Sequence, residues 1–340
     1  MKLDSVAFIP NPVAARDDAA RSAQRGFDGW FTAEVGYDPF VACAVAADAV
    51  GGRMDIGTAI AVAFARTPMS VAYSANDLQG LTGGRFVLGL GSQIKPHIER
   101  RYSMPWSKPA ARMREFIAAL RAIWHAWEHE EKLDFRGDFY EHTLMTPFFS
   151  GTDHGFGPPA IAMAAVGPLM TQVCGESADL FLAHSFTTAS YLREESLPKL
   201  REGADRAGRD PSEIGVAMTS FVITGRTDEE RAGTEALVRS QIGFYGSTPA
   251  YRPVLEHHGW GDLQEELNRM SKQGQWAEMG EIIPDEVVEE FALVVDDPDR
   301  VGEAYLERFG DLATRAGVYP TWQPDAQAVE AMKATLAEAG

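Results

Sequence analysis

The sequence predicts an α/β protein, a (β/α)8 TIM barrel with insertions, and three observations carry that expectation. Short apolar runs of strand length alternate with stretches of helix length about eight times along the chain. The candidate strands are almost continuously apolar, as strands are in a parallel sheet covered by helices. No low-complexity linker divides the 340 residues, so one barrel enlarged by insertions is expected ahead of two domains or an open doubly wound sheet.

Taken in order, the first apolar run is 6–9, stopped by Pro10-Asn11-Pro12. An Ala- and Arg-rich helix then reaches Arg25, with Gly26 placed to cap it. Strand 29–32 leads into a helix over 38–50, and strand 54–62 into a helix over 68–81 that Pro68 opens. Strand 85–90 leads through an irregular stretch to an amphipathic helix over 110–127. Residues 135–140, with Gly137 between apolar flanks, read as a small hairpin. The alternation resumes with 160–164, 169–174, 180–182 and 215–224. Segment 246–280, rich in Gly, Trp and His, reads as an inserted lid over the carboxyl-terminal mouth of the barrel. Residues 284–310 read as helical, 312–319 as the last strand and 326–339 as the closing helix. Insertions are thus expected near 92–109, 133–158 and 246–280.

Charge narrows the partners. Thirty-one Lys+Arg against 49 Asp+Glu give −18, and a chain this acidic repels phosphate backbones, so no nucleic-acid partner is expected. No apolar run approaches the ~18 residues a membrane helix needs. Cys43 and Cys174 are too few for a disulfide framework or a cysteine metal site. The first residues lack the pattern of a signal peptide, and a cytoplasmic location is expected.

Several motifs compete with plainer readings. Gly89-Leu90-Gly91 follows a strand, but a dinucleotide fingerprint needs a third glycine where Ile94 stands. Those glycines still let a backbone approach a flat ligand at a strand's carboxyl end. His125-Ala126-Trp127-Glu128-His129 has the form H-x-x-E-H, yet no third ligand is evident, and histidines suit the negative end of a helix dipole; no metal is expected. His257-His258 reads as part of an exposed loop. Residues 164–169 close a strand and open a helix, leaving either a phosphate site on free N–H groups or an ordinary turn with Pro168 at the first helical position. His97, Glu99, Arg100 and Arg101 lie on a loop after the fourth strand, and Glu34 and His184 follow the second and sixth. In a barrel, all of these belong to the catalytic face.

Residues 57–62, 81–91 and 112–115, with the hairpin 135–140 and the Pro158-Pro159 entry to the fifth strand, resemble the bacterial luciferase-like flavin and deazaflavin oxidoreductases, and most of all their coenzyme F420-dependent branch. The resemblance implies a barrel with insertions and a cofactor at the carboxyl ends of its strands. It implies a cis peptide joining Ala59 to Ile60 beneath the deazaflavin ring, with Gly91 and Ser92 bordering that ring. It also implies that Ala165, Val166, Gly167, Leu169 and Met170 receive the phosphate-bearing tail, through backbone N–H groups, because no lysine lies between residues 133 and 198. The sugar-phosphate dehydrogenases of the branch carry an Asp-His pair and a Gly-Glu pair where this chain has Ala33-Glu34 and Gln93-Ile94, so another substrate is expected. The resemblance implies an F420-dependent oxidoreductase, used as a reductase, passing a hydride between deazaflavin C5 and a small organic substrate, in a homodimer. The alternatives are an FMN-dependent monooxygenase and a non-catalytic barrel that carries a flavin-type ligand. For proton transfer, Glu34 is the first candidate, followed by His97 and His184; Glu34 otherwise pairs with Arg66 or Arg101 and braces its loop.

Overall fold

Eight of the apolar runs become parallel strands that close into a ring in the computed structural model, which describes residues 1–338. They are Lys2–Ala7 (β1), Gly29–Thr32 (β2), Asp55–Thr58 (β3), Phe86–Gly91 (β4), Ala160–Ala164 (β5), Leu180–Ala183 (β6), Gly215–Ile223 (β7) and Arg315–Val318 (β8). Each pairs with the next in chain order, and β8 returns to β1 with Lys2 opposite Arg315.

The outer layer includes helices Ala15–Arg25 (α1), Pro39–Val50 (α2), Pro68–Leu81 (α3), Pro109–Glu128 (α4), Pro168–Ser177 (α5) and Leu197–Arg206 (α6). Local chemistry fixes their starts and stops. Gly26 takes φ 97° and caps α1, as its position predicts. Asp38 and Thr67 accept N–H bonds at the starts of α2 and α3, each followed by proline. Inside the ring, Phe31, Val87, Ala162 and Leu180 pack together. A Cβ at Gly57 would overlap the Phe31 ring and stand 2.8 Å from the Val87 carbonyl oxygen, so that strand position favours glycine beside the aromatic plug.

The floor of the barrel is polar. Arg315 donates two hydrogen bonds to Asp4, at 2.6 and 2.7 Å, and a third to Asp55 at 2.9 Å, under the Phe31 ring. This knot explains one departure from expectation. β1 begins at Lys2 instead of Val6, because Asp4 points inward to Arg315 and breaks the apolar signal of the strand.

Other departures have similar causes. The run 54–62 divides into β3 and a short strand, Ala61–Val62, on either side of a cis peptide between Ala59 and Ile60. The hairpin pairs Phe135–Arg136 with Glu141–His142, two residues longer than its sequence signal. Region 284–310 is not wholly helical: Ala292–Val294 is a strand on the outer end of β7, too short to show between its flanking helices. Segment 246–280 is largely helical. It continues from Asp228–Gly246 (α7) through Arg252–His257 (α8) and Gly261–Lys272 (α9). These helices bury a second core, including Phe186, Phe221, Ile242, Leu255, Leu267 and Phe291, against the carboxyl ends of β6 and β7. The chain ends in a helix, Ala326–Glu338; Ala339 of the expected closing helix lies outside the described residues. No described helix is long and apolar enough to cross a membrane.

Candidate active site

The loops after β2 and β6 face each other across the ring, four strands apart. After β2, the backbone N–H of Glu34 donates to the Ile60 carbonyl at 3.0 Å, tying this loop to the end of β3. The Glu34 carboxylate accepts three hydrogen bonds. Val62 N–H and Arg66 Nη1 donate to Oε2 at 2.7 and 2.6 Å, and the Tyr102 hydroxyl donates to Oε1 at 2.9 Å. Arg66 also bonds Asp38 at 2.8 Å and lies over the Phe40 ring. Burial opposes the Arg66 charge, but the Glu34 and Asp38 bonds outweigh it and raise its pKa. Burial and the Glu34 carboxylate raise the Tyr102 hydroxyl. Arg101 takes no part in the Glu34 bonds; it donates to the Val35 carbonyl at 2.6 Å.

After β6, aromatic groups dominate. His184 stacks on Tyr251 with ring centroids 4.6 Å apart and meets Tyr245 edge-on at 4.7 Å. Burial lowers the His184 pKa to about 4, so the ring is neutral near pH 7. Its tautomer follows from its partners. Phe186 N–H donates to Nδ1 at 2.9 Å, so the single ring proton sits on Nε2, which faces the Tyr251 hydroxyl at 3.1 Å. Tyr319 donates to Gln241 at 3.0 Å, and Tyr245 in turn donates to Tyr319 at 2.8 Å. Phe8, 48% exposed beyond β1, meets the Tyr319 ring edge-on and extends this aromatic wall.

Going round the ring between the two loops lie the residues expected to hold a cofactor. Ala59 and Ile60 are partly exposed, and the Ile60 side chain rests on Gly91: a Cβ there would stand 2.8 Å from it. Ser92 follows, its hydroxyl turned to the Gln93 carbonyl at 3.0 Å. Beyond β5 the N-terminus of α5 is open. Gly167 is its cap with no side-chain bond, Pro168 has no N–H, and Val166, Gly167, Leu169 and Met170 N–H groups have no acceptor among the described residues. Nothing lies within 4 Å of a Cβ built on Gly167. A glycine shelf and a free set of helix N-terminal donors at one end of a barrel fit a flat ring bearing a phosphate tail.

Residues 7–315 match the family model for luciferase-like monooxygenases. The chain belongs to that family. The luciferase-like chain is 52% identical over 295 residues to an uncharacterized protein of Mycobacterium tuberculosis, with 86% of each covered. It is 30% identical over 303 residues to a proposed coenzyme F420-dependent oxidoreductase of the same organism, covering 85% of this chain and 84% of that one. Among solved structures it is similar to the coenzyme F420-dependent tetrahydromethanopterin reductase of Methanopyrus kandleri. The TM-score is 0.78 at 19% identity, covering 99% of this chain and 98% of that one, a likeness of fold.

The expected site residues do not all converge. Glu34, Ile60 and Gly91 form a connected set, and His184 stands on the other wall. His97 is exposed on a short helical turn, His97–Arg101, with no side-chain partner among the described residues. His125 and His129 stack with each other on the surface, each beside a glutamate. His257 and His258 are not loop decoration: they end α8, half-buried, and His258 Nε2 lies 2.9 Å from the Thr188 hydroxyl. Tyr251 was not a candidate in the sequence. It carries no motif, and its partner His184 is 67 residues away.

Proposed function

We propose that the chain is an F420-dependent oxidoreductase that reduces a small organic molecule at the carboxyl-terminal mouth of its barrel. The observation that carries this reading is the open N-terminus of α5 standing at the same end as the Ile60–Gly91 shelf. The name of the F420-linked mycobacterial relative supports it. In this reading Ala59, Ile60, Gly91 and Ser92 face the ring. Ala165 shapes the turn, and the N–H groups of Val166, Gly167, Leu169 and Met170 take the tail phosphate. Reduced deazaflavin, when bound, supplies a hydride from C5. The protein's part is placement, exclusion of water and delivery of a proton.

Within that division of labour Glu34 is a brace. Its two oxygens are engaged by three donors, and those bonds lock the loop after β2 to the shelf. His97, in solvent, has no part.

Titration with F420, followed by its optical spectrum, tests the reading. Gly167 has φ −88° and open space around it, so Gly167→Asp folds without strain and places a negative charge among the N–H donors. Affinity is expected to fall about tenfold or more, equivalent to roughly 1.4 kcal/mol. Unchanged affinity places the tail elsewhere. The same titration with FMN separates the monooxygenase reading that the family description favours, because tight FMN binding with no F420 binding overturns the proposal.

A further inference from the structure

We propose that Tyr251 is the proton donor of this site, delivering its phenolic hydrogen to the oxygen of a carbonyl substrate, with His184 as its positioning residue. The inference rests on the reductase reading above and deepens it.

Around the mouth, several tyrosine and threonine hydroxyl hydrogens already have acceptors. Tyr102 gives its hydrogen to Glu34, Tyr319 to Gln241 and Tyr245 to Tyr319. Thr32 gives its own to the Ala7 carbonyl, so Tyr37 donates to Thr32 at 2.7 Å. Tyr251 differs. With Phe186 N–H on Nδ1, His184 can only donate from Nε2, and the Tyr251 oxygen is therefore the acceptor of that bond. Its own hydrogen has no acceptor among the described residues. Both Glu34 carboxylate oxygens are already engaged by donors, an arginine, a tyrosine and a backbone N–H.

The free O–H fits the oxygen of a ketone or aldehyde, and Tyr245 beside it, with Tyr319 and then Phe8 following in the same aromatic row, fits apolar flanks on that carbonyl. Reduction adds a hydride to the carbonyl carbon, with both electrons from the reduced deazaflavin, and a proton to the oxygen. As the new C–H bond forms, the C=O π pair moves to oxygen. The Oη–H bond of Tyr251 then breaks, its hydrogen forms the alcohol O–H, and its electron pair stays on Oη as phenolate. The Nε2–H of His184 already points at that oxygen and stabilises the charge until water returns the proton. Burial raises the Tyr251 hydroxyl above its ordinary pKa, so the hydrogen stays in place until an oxygen more basic than phenolate develops beside it.

Two measurements test this. In the ligand-free protein, nitrogen NMR of His184 is expected to show the proton on Nε2 and none on Nδ1; a proton on Nδ1 removes the basis for a free Tyr251 hydrogen and overturns the proposal. In single-turnover oxidation of reduced F420 by a panel of ketones and aldehydes, Tyr251→Phe is expected to bind F420 as wild type does and to transfer roughly 10²–10⁴-fold more slowly. His184→Phe is expected to lower kcat about tenfold with KM little changed, and serves as the second variant if Tyr251→Phe fails to fold. A Tyr251→Phe protein that transfers at the wild-type rate overturns the Tyr251 assignment and leaves the cofactor reading intact. Wild type that does not bind F420 overturns both.

Discussion

Across the mouth, the loops after β2 and β6 each place one ionisable residue just beyond a strand end, and the two sites treat that residue in opposite ways. Glu34 is surrounded by donors: an arginine, a tyrosine and a backbone N–H converge on its carboxylate, whose side chain is 6% exposed. His184 meets aromatic faces and passes its one ring proton outward to Tyr251. The first wall is closed, with three donors matched to the two oxygens of Glu34. The second leaves the Tyr251 hydroxyl hydrogen without an acceptor among the described residues. Matched polar groups stabilise a loop, whereas an unmatched donor beside an open mouth is available to a ligand. The floor is of the closed kind too, since Asp4 and Asp55 both pair with Arg315.

The largest expected effect breaks the closed wall. Glu34→Ala leaves the Arg66 guanidinium, the Tyr102 hydroxyl and the Val62 N–H without their shared acceptor, so denaturant unfolding is expected to show a loss of about 3 kcal/mol. A loss under about 1 kcal/mol means that the wall is solvated in solution and that its ion pair behaves as a surface pair.

A smaller effect sharpens the open wall through pH. Burial sets the His184 pKa at about 4 in the folded protein against an ordinary 6.5. Its contribution to stability is therefore full above pH 6.5 and lost as pH falls toward 4, where the unfolded chain binds a proton that the folded one refuses. The expected loss is about 1–3 kcal/mol across that window. In His184→Gln this component disappears, while the smaller contributions of His142 and His258, also lowered by burial, remain in both proteins. Identical pH profiles for the two proteins would show that His184 is hydrated.

These contrasts also separate what the sequence reveals from what it hides. The barrel is legible because its strands are apolar on both faces, and it blurs where Asp4 and Arg315 turn inward to seal the floor. Glu34 and His184 are legible as candidates because each directly follows a strand, a position that topology sends to the mouth. Their roles are not legible. The partners that decide them come from Arg66, Tyr102 and Tyr251, which lie 32, 68 and 67 residues away and follow no periodic pattern. The cis peptide at Ala59-Ile60 was accessible only through family resemblance, since an Ala-Ile dipeptide has no local preference for it. Segment 246–280 shows as an insertion through its composition alone, and nothing in that signal marks the turn Pro249–Tyr251 that brings Tyr251 against His184.

The most direct test of the asymmetry is a single comparison of hydride transfer in Glu34→Gln and Tyr251→Phe, each loaded with reduced F420 and mixed with the same carbonyl substrate. Glu34→Gln keeps an acceptor oxygen for part of the closed wall, and its transfer rate is expected to stay within about tenfold of wild type, far above the roughly 10²-fold minimum loss of a missing proton donor. Tyr251→Phe is expected to show that loss. The opposite ranking, with Glu34→Gln slow and Tyr251→Phe fast, would return proton transfer to the wall after β2 and contradict the account.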